Sequence, residues 1–417
     1  DIADASLDEL TLLDPAVQEC PFPLYERLLA DAPVFQDPKA GFWVVSRYDD
    51  IRRVLTDTAT FSSAATIELA RDTVAPERAA MARHLYRWEP TPTLSLQDDP
   101  RHKETRAIFT RALRAGKINA LDPFIQDTAR DLVAKFKSRG ACDVIAELAV
   151  PLPLIAICSQ VGVPLDDIWK IKGWTDAWVK RFSMMQTEAE ERESISQEIA
   201  FQHYFEPIIN RLRTAPDGTV LSDLVNLRLS DGSQLGYADI VSHLLSDLFV
   251  GGSETSTTAS GEGVLLLCQR PEQYALLMND LEANLPAFIE EVLRLQSPVQ
   301  GLYRVTTREV EIAGVRIPAR SLLNLRFAAA NRDDRHFGCP AQLDLERPNG
   351  GSHLAFGSGV HHCIGAPLAR REMYWSFRIL LEEVHNLRLA PGKNDLTHMP
   401  GLMLRALKAL HIAFDPA

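Results

Sequence analysis

Apolar residues recur at three- and four-residue intervals along most of this chain. That spacing predicts helices over 21–30, 49–55, 121–138, 148–161, 166–181, 188–213 and 366–381. Another set of apolar runs is short, with β-branched and aromatic residues. Val34 and Phe35, then 42–47, flank an Asp-Pro-Lys-Ala-Gly turn and predict a hairpin. Short strands are expected over 301–315, 322–326, 387–389 and 406–414. The stretch 61–96 is polar, mixed and ends in prolines, and it reads as a long irregular connection. The most apolar stretch, 238–268, reads as one long buried helix. Helix dominates, so the expected fold class is mainly α with small β sheets (α+β).

Composition adds three constraints. With 417 residues, 46% hydrophobic and 24% charged, the chain can bury a large core. It shows no low-complexity linker, internal repeat or charge block, and 1–417 reads as a single domain. A net charge of −12 disfavours nucleic acid as a partner. The sign reverses locally: Arg101, Lys103, Arg106, Arg111, Arg114 and Lys117 stand against one acid, Glu104. No hydrophobic run lies near the start, which gives the expectation of neither signal peptide nor membrane anchor. Six cysteines (20, 142, 158, 268, 339 and 363) lack a paired framework and suit a reducing cytosol.

Candidate chemistry concentrates in Phe356-Gly-Ser-Gly-Val-His-His-Cys-Ile-Gly365. One cysteine, Cys363, sits on a glycine-rich loop just before a predicted helix. A thiolate at a helix N-terminus is favoured by the dipole and by free backbone N–H donors. Phe356 can shield the sulfur from water. This suits a soft anionic ligand to iron. His361, His362 and Cys363 as a zinc site is the weaker reading, because no second ligand pair stands at finger spacing.

Phe356, Gly357, Gly359, His361, Cys363 and Gly365 resemble the haem-binding loop of the cytochrome P-450 superfamily, the haem-thiolate monooxygenases, soluble bacterial type. The resemblance implies haem b with Cys363 as proximal thiolate ligand. Three more segments match in order. Glu291 and Arg294, three apart on a helix that Pro298 ends, resemble the Glu-x-x-Arg motif, with Arg347 as the third member of a buried structural trio. Gly251, Glu254 and Thr255 resemble the distal helix, where Thr255 and Glu254 would be the catalytic alcohol and acid that relay protons. His102 and Arg106, i and i+4, resemble haem-propionate partners, as do Arg304 and His361. The implied fold is the P-450 fold, with haem between the long distal helix and the cysteine-loop helix.

The resemblance further implies an apolar small-molecule substrate oxygenated by O2. Two electrons would come from an external ferredoxin, itself reduced by an NAD(P)H-dependent reductase and docked on the basic residues near Arg111, Arg114 and Arg371. A cytoplasmic monomer is expected. Substrate-pocket candidates are Leu244, Asp247, Val250, Val299, Gln300, Leu402 and Met403. Asp247, four before Gly251 and eight before Thr255, is expected to share their α-helical face. A peroxide-driven peroxygenase and a non-catalytic haem sensor or carrier are the alternatives, and the presence of Glu254-Thr255 argues against both.

Overall fold

The computed structural model of the protein describes residues 2, 5–73, 76–182 and 186–416. In chain order the helices are α1 (Pro15–Glu19), α2 (Phe22–Asp31), α3 (Tyr48–Thr56), α4 (Ala65–Thr73), α5 (Pro76–Leu85), α6 (Arg101–Ala112), α7 (Ala115–Ala134), α8 (Pro151–Val161), α9 (Ile168–Phe182), α10 (Glu188–Thr214), α11 (Val220–Asn226), α12 (Tyr237–His243), α13 (Thr255–Gln269), α14 (Pro271–Asn279), α15 (Leu281–Gln296), α16 (Phe327–Ala330) and α17 (Ala366–Glu383). The strands are β1 (Val34–Gln36), β2 (Trp43–Val45), β3 (Phe61–Ser62), β4 (Ala141–Asp143), β5 (Leu302–Thr306), β6 (Val310–Ile312), β7 (Val315–Ile317), β8 (Leu322–Leu325), β9 (Val384–Leu389) and β10 (His411–Pro416). The fold is thus mainly helical with small sheets.

Three sequence expectations change. The stretch 61–96 is not irregular: it holds α4 and α5. Both are rich in Ala, Arg and Glu, good helix formers without a broad apolar stripe, so the periodicity was silent. The helix expected over 148–161 is a π-type turn, Ile145–Ala149, followed by α8, which opens at Pro151. The long helix over 238–268 is α12, an eleven-residue π-type segment Leu244–Glu254, then α13. The interior glycines Gly251 and Gly252 lie in that widened segment.

Contacts divide the chain into two compact units. The first comprises Asp1–Phe61, Asp122–Pro153 and Thr255–Ala417. Its largest sheet runs β1-β2-β8-β5-β3, with β1 antiparallel to β2 and β2 parallel to β8. A three-stranded sheet, β4-β10-β9, and the β6–β7 hairpin complete its strands. Ile51, Val54, Phe61, Leu323 and Phe337 share one apolar core, and Leu24, Leu28, Val44 and Leu402 another. Helices α13 and α17 approach closely because Gly263 has no side chain: a Cβ there would lie 2.4 Å from Phe377 Cζ.

The second unit comprises Ser62–Leu121 and Leu154–Glu254. Its longest helix, α10, starts with a capping box. Thr187 N–H donates to the Glu190 carboxylate at 2.7 Å, and Glu190 N–H donates to Thr187 Oγ1 at 3.3 Å. Trp174, Phe201, Phe205 and Phe249 pack edge-on or tilted, with ring centroids 4.7–6.0 Å apart. Among the described residues no helix is long and apolar enough to cross a membrane.

Candidate functional site

The cysteine loop belongs to the first unit. Cys363 N–H donates to Phe356 O at 2.9 Å, closing the loop on itself, and α17 begins three residues later. Gly359 adopts φ +72°, and a Cβ there would stand 2.9 Å from Leu55 O at the end of α3. Any side chain would push the loop off that support. The other cysteines do not compete as ligands. Burial pushes the Cys142, Cys158 and Cys268 thiols up to about 12, and Cys20 and Cys339 are exposed. The donor set therefore fits a haem-thiolate centre: one cysteine, half-buried, on a tight loop at a helix N-terminus.

Two ion-pair systems on α15 organise the segment leading into this loop and the loop itself. Glu291 is 1% exposed and Arg294 is 0% exposed. Arg294 Nε and Nη2 donate to the two Glu291 oxygens at 2.7 and 2.9 Å, and Arg347 Nε adds a third bond at 3.0 Å. The spare guanidinium donors reach the carbonyls of Asn331, Pro340, Gln342 and Gly338. The structure thus assembles the trio expected from the sequence.

Glu290, one residue earlier, serves the loop directly. His353 Nε2 lies 2.8 Å from its Oε2, and Arg370 donates to both oxygens at 2.6 and 3.1 Å. Burial works to raise the Glu290 carboxyl, but the bonds and charges of His353 and Arg370 outweigh it and hold it at about 2. The Arg370 guanidinium also lies 4.8 Å from the centroid of the Phe356 ring. This clamp was missed in the sequence, where Glu290 reads as an incidental neighbour of Glu291.

Glu372 was missed too. It is 1% exposed, on the buried stripe of α17 with Leu368, Trp375 and Ile379. Burial pushes its carboxyl up to about 8, against a smaller pull from the Ser256 hydroxyl on α13. Neither carboxyl oxygen completes a hydrogen bond of good geometry, so the Ser256 contact is a weak one. The only signal in the sequence was an acid at i+4 from Leu368 on an apolar face.

The remaining first-unit candidates are placed as follows. Arg304, on β5, is buried, and its Nη1 donates to Tyr303 O at 2.7 Å. His361 lies on the 3₁₀ turn Gly359–His361. Gln300 is buried and its amide is engaged: Oε1 accepts from Tyr25 Oη at 2.8 Å, while Nε2 donates to Gln296 O and Ser297 O. Leu402 is core, its carbonyl held by Arg326. Val299 and Met403 are partly buried. Arg371 is bound to Asp122 at 2.5 and 2.9 Å.

In the second unit, Glu254 accepts from Lys172 Nζ at 2.8 Å and Thr175 Oγ1 at 2.9 Å. Lys172 also reaches Asp176 at 2.6 Å. Burial works against the Lys172 charge, yet Glu254 and Asp176 outweigh it and raise its pKa. Neither Lys172 nor Thr175 carried any sign in the sequence. Thr255 is the first residue of α13.

Asp247 Oδ2 lies 2.6 Å from His243 Nδ1 and accepts the Leu94 N–H at 3.2 Å. Asp247 and Gly251 lie in the π-type segment Leu244–Glu254, and Thr255 opens α13. The π-type winding bonds i to i+5, so residues four apart fall just short of one turn and stay near one face, although the segment is not the α-helix expected. Leu244 and Val250 are buried. His102, on α6, is 2% exposed and Arg106 stands one turn on. Burial lowers the His102 pKa, more than Asp99 raises it. Within the basic stretch, Lys117 is bound to Asp223 at 2.7 Å and Arg101 lies 3.4 Å from Asp239.

Comparison with known proteins gives one answer. The cytochrome P-450 family model matches residues 168–412. Cytochrome P-450 130 of Mycobacterium tuberculosis is 32% identical over 381 residues, 89% of this chain and 90% of its own length. The vitamin D(3) 25-hydroxylase of Pseudonocardia autotrophica is 31% identical over 399 residues, 95% of this chain and 94% of that one. Among solved structures, cytochrome P-450 CYP109Q5 from Chondromyces apiculatus superposes with a TM-score of 0.83 at 30% identity, covering 99% of this chain and all of that one.

Proposed function

Because the chain belongs to the cytochrome P-450 family, we propose that this monooxygenase inserts one oxygen atom of O2 into an apolar small molecule, most simply by C–H hydroxylation. The name of the Pseudonocardia relative records a hydroxylation of that type on its own substrate. The observation that carries the reading is Cys363, held half-buried at the head of α17 by a loop that Glu290 of α15 braces through His353 and Arg370.

Haem b, when bound, supplies the iron at which O2 is activated, and Cys363 is the residue that would hold it as thiolate. His102, Arg106, Arg304 and His361 are assigned to its propionates, with Phe356, Gly357 and Gly251 against the macrocycle. Thr255 would hold a proton at its hydroxyl, and Glu254 would resupply it. In the resting arrangement Glu254 is tied to Lys172 and Thr175, so resupply requires that carboxylate to exchange partners. Leu244, Val250, Val299 and Met403 are the pocket residues we assign to an apolar substrate. Gln300 and Leu402 are assigned to the same set, and Asp247 would contribute the oxygen not engaged by His243 and Leu94.

Electrons would come singly from a ferredoxin and its NAD(P)H-dependent reductase, with Arg111, Arg114 and Arg371 as docking residues. The 417 residues would act as one cytoplasmic, monomeric haem domain.

The test is spectroscopic, then kinetic. The reduced carbon monoxide complex should show the red-shifted Soret band of a thiolate-ligated haem, and Cys363→Ala should abolish it. Retention of the band in that variant would overturn the assignment. Thr255→Ala should keep the band and go on consuming NADH with ferredoxin and reductase, releasing more peroxide and less product.

A further inference from the structure

One buried histidine ties the C-terminal segment of the first unit to two distant helices. His398 is 7% exposed. Its Nδ1 lies 2.6 Å from Glu19 Oε1 at the end of α1, and its Nε2 lies 2.7 Å from Glu262 Oε1 on α13. Its backbone N–H donates to the second Glu19 oxygen at 3.0 Å. Glu262 is 1% exposed. Immediately downstream, Gly401 N–H donates to Gln18 Oε1 and Met403 O accepts from Gln300 N–H. The anchored segment therefore holds Leu402 and Met403 and begins at His398.

The chemistry of the ring constrains its state. Ionised carboxylates only accept hydrogen bonds, so both ring nitrogens must carry protons for both contacts to be bonds. A neutral imidazole has one N–H. Its other nitrogen would then present a lone pair to a carboxylate oxygen at under 3 Å, and that contact would open. Arg405 is the other cation facing this pair: its Nη1 stands 3.6 Å from Glu262 Oε1, and its Nη2 donates to Glu19 O at 2.8 Å. Lys408, Glu19 and His398 line a cavity of about 190 Å³ beside the ring, which gives a path for proton exchange. Burial works to raise the Glu19 carboxyl, but the His398 bonds and the charges of His398 and Arg405 prevail and hold it below its ordinary value.

We propose that His398 is a pH-responsive positioning residue: its doubly donating ring ties the segment carrying Leu402 and Met403 to α1 and α13, and loss of one ring proton releases that tie. The tie holds at low pH and opens as the pH rises. Its effect on substrate binding rests on the pocket assignment proposed above, whereas the tie itself does not. Glu262→Gln separates the parts, because a glutamine amide can donate to a neutral ring and keep the contact at either protonation state.

Hydrogen exchange of the holoenzyme between pH 6 and 9 tests this, with rates corrected for intrinsic exchange and referred to β10 amides. In the wild type, protection over 398–405 should fall by about tenfold or more as the pH rises, the value of one buried charged hydrogen bond. Glu262→Gln should flatten that dependence, and His398→Ala should leave the segment unprotected throughout. Constant protection in the wild type, or a pH dependence unchanged in Glu262→Gln, overturns the proposal even if His398→Ala fails to fold. The carbon monoxide spectrum of the same samples reads the monooxygenase assignment separately, so either can fail alone.

Discussion

Replacing Glu372 by glutamine should change the pH dependence of stability more than stability itself. The wild-type carboxyl is fully buried and its pKa is raised from 4.5 to about 8. Below 4.5 the group is protonated in both the folded and unfolded chain. Between 4.5 and about 8 the unfolded chain loses the proton and the folded one keeps it, so the folded state binds more protons and stability falls as pH rises. Above about 8 both forms are ionised and the loss levels off. Each pH unit in that window is worth about 1.4 kcal/mol, so the full loss is about 5 kcal/mol. Glutamine has no proton to release and roughly the same shape. Urea denaturation of both holoenzymes at half-unit steps from pH 5 to 8.5, followed by far-ultraviolet circular dichroism, gives the difference directly, since other titrating groups cancel. The variant should gain on the wild type by about 4 kcal/mol across that range. A difference that stays flat refutes the reasoning: Glu372 would then ionise in the folded protein as it does in water.

Two more substitutions probe the frame of the site. Glu291→Ala leaves the buried guanidiniums of Arg294 and Arg347 without their acid; the urea midpoint should report a loss of about 3–5 kcal/mol, together with weaker haem retention. Gly263→Ala puts a methyl 2.4 Å from Phe377 Cζ; thermal unfolding should show a loss of about 1–3 kcal/mol, partly restored by Phe377→Leu in the same chain.

The sequence was most legible where chemistry demands a fixed residue at a fixed spacing. Cys363 among its glycines could be read from the chemistry of its loop, whereas Glu291 with Arg294 and a later Arg347 was legible only through the family resemblance. It was least legible where function depends on partners brought from elsewhere in the chain. Glu254 was visible, but Lys172 and Thr175, which hold it, sit on α9 among residues of ordinary helical spacing. Glu290 and Glu372 were hidden for the opposite reason: acids on helices are usually solvated, and only the burial of Glu372 and the His353 and Arg370 partners of Glu290 mark them. Regular periodicity also misled at Leu244–Glu254, because apolar spacing does not distinguish an α turn from a wider one. Asp247 was therefore placed on an α-helix where the chain is wound more widely.

The three-way contact among Glu291, Arg294 and Arg347 bears on how this chain can be recombined with its relatives. Arg294 donates to three carbonyls between Asn331 and Gln342, and Arg347 adds three bonds in the same loop. That loop has little ladder of its own and is folded around two guanidiniums contributed partly from a helix before it. A chimera spliced anywhere between 295 and 330 would take the helix from one parent and the loop from the other. Its carbonyls would then have to meet guanidiniums they did not evolve beside. Crossovers placed before α15 or after Arg347 keep donor and acceptors on one parental segment, and those are the positions where a shuffled library should retain folded members.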